Sequence, residues 1–430
     1  MNVSTASWHS LTWGSLALLV LSLPGLVLAA SGGVPIGQPF LIGDQPVHAL
    51  QPAVVYNSQR QEYLVVYWND RPGNDDIRAE RVSKSGQLLG GKWIAAGVGA
   101  DRFFPDVAYN SQQNQYLIVW IEQSSGYNYV RTQRFSADLE PQPEGVQTLI
   151  AGVIGQSTSV DPAVDYAYTS NKYLVVWEYE FNVPPAPMAT SIVGHVVQSD
   201  GAPDPGGSFT ISQDPGDEPR RVPDLAYNRR GNGYLVVWQQ WTTVGSLNEI
   251  WGRLIHGDGA PTSSPILIEM GIDSYTNPAV AAIPTATTLG QYAVVYEKHQ
   301  SSGEQYIYGH RIDGDGTVGG GISLNTSETE LCCPTVAGSE GSGHYLVAWA
   351  RTVGPLFVYG QAFPTEGVSY EDQPIQLGGA VSALNPAAAG GPQGSFLVAY
   401  DDPTPGTVPE NSDIYGRIWG FRVYLPLILH

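Results

Sequence analysis

Two aspartates occupy a setting where carboxylates can do chemistry. Asp106 stands in "PDVAYN" and Asp224 in "PDLAYN", each the second residue of a recurring proline-led segment, so a fold that gathers those segments also gathers the carboxylates. Paired carboxylates at a suitable separation serve as acid and base or hold a cation. Against this, only two of the seven segments carry Asp there, and hydrogen bonding to the surrounding backbone is the plainer role. The run "DGDGTVGGG" from Asp313 resembles the start of a calcium loop but lacks the later ligands and the closing Glu, so it reads as a turn. The eight histidines are scattered, with neither an H-E-x-x-H nor a Cys/His spacing for zinc. No G-x-S-x-G elbow and no phosphate-cradling glycine loop occurs. No cofactor is expected, with a structural calcium as the alternative. The only cysteines, Cys332 and Cys333, are adjacent. They cannot form a disulfide framework; they either close a small ring that stiffens a turn or sit as two partly buried thiols in a loop.

The elements that must position these residues repeat along the chain. At 430 residues the protein exceeds the usual single core, so it is several domains or one architecture that spreads its core over similar units. With 50 Gly and 32 Pro beside 42% hydrophobic residues, many short strands and turns are expected and long helices are not. A net charge of −20 argues against a nucleic-acid partner, which would need clustered Lys and Arg, and suits a solvated acidic surface, a cation or a basic partner.

A proline opens a short apolar strand at Pro52, Pro105, Pro162, Pro223, Pro278, Pro334 and Pro386, at intervals of 52 to 61 residues. That unit is too long for a helical solenoid repeat and fits a four-stranded propeller blade with generous loops. A second strand ends each time in an aromatic: Tyr67, Trp120, Trp177, Trp238, Tyr296, Trp349 and Tyr400. Its β-branched, nearly unbroken apolar runs, such as "YLVVW", suit strands covered on both faces. A third strand carries a small residue at Ala79, Thr132, Gly194, Gly252, Gly309, Gly360 and Gly416. Glycine within a strand signals a close neighbour, and the expected occupant is a large aromatic of the preceding strand or of the next blade. Tight turns such as "HGDG" then lead into a fourth strand.

The stretch "QPFLIGDQPVHALQP" before the first repeat matches "QPIQLGGAVSALNP" of Gln373–Pro386, a fourth strand running into a proline strand. The seventh unit, by contrast, stops after its third strand at "IYGRIWG". Phe40–Ile42 is therefore expected to complete the last blade and close the ring, which removes open sheet edges. The predicted fold is all-β: a seven-bladed β-propeller over residues 37–420, four antiparallel strands per blade, closed by the N-terminal strand.

The pattern of "YLVVW", a loop, then "IYGxR" resembles that of secreted bacterial β-propeller repeat proteins. The resemblance implies that the second-to-third strand loops and the blade-to-blade loops share a ligand-binding face. On that face it implies Trp68, Asn69 and Asp70 from blade one, Glu122, Tyr127 and Tyr129 from blade two, Glu178, Tyr179 and Phe181 from blade three, Trp241 from blade four, and Asp401 and Asp402 from blade seven. Aromatics beside carboxylates stack sugar rings and bond their hydroxyls, while ordinary loop residues are the competing reading. Fold alone does not give function. The expected function is an extracellular, non-catalytic binding or scaffold module, a monomer with a glycan or protein ligand. A carbohydrate-active hydrolase or lyase using carboxylates at the channel mouth is the alternative. The repeated S-x-D-x-G-x-T-W turn of sialidases is absent.

Leu16–Leu28 is apolar and short for a membrane span, and "VLA" at Val27–Ala29 suits cleavage, so residues 1–30 are expected to be a secretory signal and the protein to be secreted or cell-surface. No Lys or Arg precedes Arg60, which leaves a misplaced start or a single uncleaved anchor as alternatives. If the signal is cleaved, no spanning segment is left in the mature chain. The apolar tail, residues 421–430, is expected either to mark surface sorting or to pack on the propeller.

Overall fold

The computed structural model describes residues 33–43, 48–71, 74–151, 159–181, 189–212, 219–242, 247–283, 289–324, 331–339, 343–351, 357–365, 374–378, 383–403 and 412–420. The expected signal segment and tail lie outside these residues. The described chain forms seven four-stranded antiparallel sheets, each ordered inner, second, third and outer strand: a seven-bladed β-propeller. Blade one comprises His48–Asn57, Glu62–Arg71, Asn74–Ser83 and Leu88–Ala95. Among the described residues, no helix is long and apolar enough to cross a membrane.

The closing strand is longer than expected. Val34–Gly43 pairs antiparallel with Ser412–Gly420 and forms the outer strand of blade seven, whose other strands are Leu384–Gly390 and Phe396–Pro403. Val34 lies opposite Gly420 and Phe40 opposite Gly416, so the edge left open by the third strand is paired along most of its length. One core cluster then joins Ile42, Leu397 and Ile414 of blade seven to Tyr63 and Val65 of blade one. The other clusters likewise join neighbouring blades, as where Leu174 and Val176 meet Leu225, Val236 and Trp238.

The proline and the aromatic that recur in the sequence face one another. In blade one Leu50 pairs with Trp68 and Ala53 with Val66, so Gln51 and Pro52 together oppose Tyr67. The same two-against-one bulge recurs in every blade, opposite Trp120, Trp177, Trp238, Tyr296, Trp349 and Tyr400. Proline fits there because a bulge frees it from donating to the ladder. The residue before each proline is left-handed, with φ between 45° and 59°: Gln51, Phe104, Asp161, Val222, Asn277, Cys333 and Asn385. Val222 is β-branched and disfavours that region, so the fold imposes it.

Two expectations require correction. Over the third-strand glycines, aliphatic side chains from the end of the same blade share the space with aromatics: Phe209 lies 3.1 Å from a Cβ on Gly194, Phe40 2.9 Å from one on Gly416 and, as expected of the next blade, Trp419 3.2 Å from one on Gly360. A Cβ on Gly194, Gly252, Gly360 or Gly416 would lie 2.8, 3.0, 2.9 or 2.7 Å from Ile211, Ile268, Leu377 or Ile42. The second-strand aromatic reaches instead to the end of the preceding blade's outer strand. There a Cβ on Gly43 would lie 2.7 Å from Tyr67 Oη, one on Gly378 would collide with Tyr400 Oη, and the Tyr296 hydroxyl donates to Glu269 Oε2 at 2.9 Å. Cys332 and Cys333 lie not in a turn or loop but in the inner strand of blade six, Leu331–Ser339, at its bulge, and they are disulfide-bonded.

Candidate functional site

The seven inner strands surround a channel of about 460 Å³ whose lining includes Gln51, Phe104, Asp161, Asp106, Asp165 and Asp224. The strand edge facing this channel has no neighbouring strand, so its amides need other partners. Three carboxylates supply them across successive blade joints. Asp106 Oδ2 accepts the Val164 N–H at 2.7 Å, Asp165 Oδ2 the Tyr227 N–H at 2.7 Å, and Asp224 Oδ2 the Val280 N–H at 2.7 Å. The second oxygen of Asp165 accepts the Tyr166 N–H at 2.7 Å, and that of Asp224 the Leu225 N–H at 2.8 Å. Burial within the ring is the main cause that pushes Asp106 and Asp224 up to about 7 and Asp165 up to about 6; the backbone N–H groups pull the other way. Asp106 and Asp224 thus hold adjacent blades together. Asp165, on the other position of its segment, does the same, and sequence reading passed it over because it sits two places later in "PAVDYA".

The loop-rich face begins where these strands enter the channel. Trp68 is half-buried against the joint between blades one and two, and its indole N–H donates to Gln51 Oε1 at 2.9 Å, which fixes the ring plane at the channel mouth. Asp70 is exposed two residues on and lies opposite Asp75 in the strand ladder. Burial, the Asp70 and Asp101 charges, and a hydrogen bond between the Asp70 and Asp75 carboxyls push Asp75 up to about 6. Its backbone N–H donates to Asp101 Oδ1 at 3.3 Å. The sequence signal for this pair was the "DD" of Asp75–Asp76 facing the "ND" of Asn69–Asp70 across one hairpin, a register that only the ladder reveals.

Blade two continues the patch. Glu122 lies between Arg102 at 3.1 Å and Arg131 at 2.9 Å, so its charge is neutralised. Arg102 also reaches the buried Asp76 at 3.3 Å, tying the two blades together. The Arg131 guanidinium lies 4.6 Å from the Tyr129 ring centre, and the Tyr127 and Tyr129 rings are 6.2 Å apart. Buried Asn69 donates from Nδ2 to His48 O at 3.4 Å.

The remaining candidates lie elsewhere on the ring. Glu178 is buried with Arg221 at 3.7 Å, and Tyr179 beside it is half-buried. The side chain of Phe181 lies outside the described residues. Trp241 is half-buried, and its backbone N–H donates to Pro219 O at 2.9 Å. Asp401 is buried at a bulge, where Oδ2 accepts Asn385 Nδ2 at 2.9 Å and the Gln51 N–H at 3.4 Å. Asp402, also buried, lies opposite Asp413. The structure therefore gathers Trp68 and Asp70 with the unanticipated Asp75 and Asp101, and sets Glu122, Tyr127 and Tyr129 beside them. Asp313 forms a tight turn, its C=O accepting the Gly316 N–H at 2.8 Å. Among the described residues, no three His, Cys, Asp or Glu side chains converge to hold a metal ion.

The chain is thus a β-propeller whose loop-rich rim carries an aromatic and carboxyl patch. No protein-family model and no curated protein sequence matches it. Solved structures do match its fold. A protein of unknown function from Dyadobacter fermentans shares 11% identity at a TM-score of 0.52, over 88% of this chain and all of that one. An α-L-arabinanase from Penicillium chrysogenum, complexed with arabinobiose, shares 12% identity at a TM-score of 0.52, over 79% of this chain and 99% of that one. The propeller domain of the Trilobed protease from Pyrococcus furiosus matches at 9% identity and a TM-score of 0.48, over 91% of this chain and 99% of that domain. At such identities the likeness is one of fold.

Proposed function

We propose that this chain is an extracellular binding propeller that holds a carbohydrate at the rim of blades one and two, secreted through its N-terminal apolar segment. The observation that carries the reading is the Trp68 indole, fixed by Gln51 at the channel mouth, next to the facing Asp70 and Asp75 carboxyls. An indole face offers a sugar ring an apolar platform, and two neighbouring carboxyl groups offer acceptors to its hydroxyls. The channel carboxylates support binding over catalysis because Asp106, Asp165 and Asp224 are engaged by backbone amides. A glycan array that includes arabino-oligosaccharides, probed with wild type and Trp68→Ala, tests the reading. Signals that vanish in the variant support it, and an array with no signal above background removes it.

One observation favours the second reading, a carbohydrate-active hydrolase. A carboxyl pushed up by burial beside a second carboxyl is what an acid role requires, and Asp75, pushed up to about 6, lies opposite Asp70. Release of reducing sugar that Asp75→Asn abolishes, with glycan binding kept, would select this reading over the first.

A further inference from the structure

The seven bulges at the channel mouth share one backbone and differ in chemistry. Six hold left-handed residues as unlike as Gln51, Phe104, Asp161, Val222, Asn277 and Asn385 without any cross-link. The seventh holds Cys333, at φ 59°, joined through sulfur to Cys332. The disulfide is therefore not needed to shape this backbone. Nor is it needed to join the blades: the Cys333 N–H donates to Glu297 Oε1 of blade five at 2.7 Å, as the Asn277 N–H donates to Gln239 Oε1 at 2.9 Å in the preceding joint. Glu297 is itself anchored by Asn277 Nδ2 at 2.8 Å and Thr276 Oγ1 at 3.0 Å.

A disulfide stabilises mainly by closing a loop in the unfolded chain, and its effect grows with loop length. A bond between sequence neighbours closes no such loop. Both residues are half-buried rather than buried, and exchange needs a sulfur that a thiolate can reach. A cross-link that is redundant for backbone, joint and chain entropy, in residues that are not fully buried, is placed for chemistry.

We propose that Cys332–Cys333 is a site of reversible thiol–disulfide exchange with an external dithiol. A thiolate of the dithiol attacks one sulfur of the pair; the Cys332–Cys333 bond breaks as the mixed disulfide forms, and the other cysteine leaves as a thiolate and takes a proton. The second thiol of the reductant then closes its own disulfide and releases the first cysteine. The protein gains two electrons and two protons, and the dithiol is oxidised. The rim thereby exchanges a rigid apolar ring for two adjacent thiols.

The test incubates the intact protein with dithiothreitol under native conditions, alkylates it with iodoacetamide, weighs it by mass spectrometry and records its melting temperature. The expected result is no label before reduction and two labels after it, with melting within about 3 °C of the oxidised protein. The double variant Cys332→Ser, Cys333→Ser should melt within the same margin, which separates loss of the bond from any effect of the label. Label taken up before reduction, label taken up only in denaturant, or a larger fall in melting on reduction or in the double variant would each overturn the proposal.

Discussion

Trp238→Ala tests the packing between blades three and four. The Trp238 ring is 1% exposed and packs among Leu174, Val176, Ile211, Leu225, Val236 and Ile255, with Trp251 against the cluster. A buried tryptophan removes roughly 150 to 250 Å² from water, which at about 25 cal/mol per Å² corresponds to about 4 to 6 kcal/mol of transfer free energy. Alanine retains a small part of that area, and the blades on either side can relax only a little because each is held by its own next joint. The expected loss is about 3 to 5 kcal/mol, the range for emptying a buried aromatic site. Urea unfolding followed by far-UV circular dichroism measures it as a lower midpoint with an unchanged slope. A variant with the wild-type midpoint would show that this aromatic does not carry the joint, and the six equivalent positions would lose their meaning with it.

Three further outcomes follow from the same geometry. Because Asp106, Asp165 and Asp224 bind protons more tightly in the folded ring than in the unfolded chain, their contribution is full below about pH 4 and is lost as pH rises through 6 to 7. Melting temperatures measured from pH 5 to 8 should therefore fall more steeply in wild type than in the triple Asp→Asn variant, and parallel curves would contradict the shifts. Gly378→Ala forces a methyl group against Tyr400 Oη and should cost about 1 to 3 kcal/mol, partly recovered by Tyr400→Phe; a double-mutant cycle with no coupling would refute the contact. Removing Val34–Gly43 exposes the edge of Ser412–Gly420, and size-exclusion chromatography should show more self-association than in wild type; a variant that elutes as wild type does would count against closure by this strand.

Much of the fold was legible because each blade states its register twice. The proline and the second-strand aromatic recur together since they face one another across a bulge, so the repeat in sequence is a repeat of one local geometry. The closing strand was legible for the same reason, as "QPFLIG" repeats the form of "QPIQLG". The left-handed residues were not, because Phe104 and Val222 give no residue-type sign of positive φ and only their shared place before proline marks them. The glycine of the third strand was read as a seat for an aromatic because sequence shows that a side chain must approach but not from which strand. The same limit hid the site. Asp401 and Glu178 looked like rim carboxylates and are buried at the blade joints, whereas Asp75 and Asp101 become neighbours of Asp70 only when a hairpin and the next blade are laid side by side.

The proposed sugar site is Trp68 with the Asp70 and Asp75 carboxyls. Calorimetric titration of the strongest array ligand into wild type and Trp68→Ala tests it most directly, because loss of a stacking aromatic should weaken binding at least about tenfold, or roughly 1.4 kcal/mol. Equal affinity in the two proteins, with the variant fully folded, would place the ligand elsewhere on the propeller.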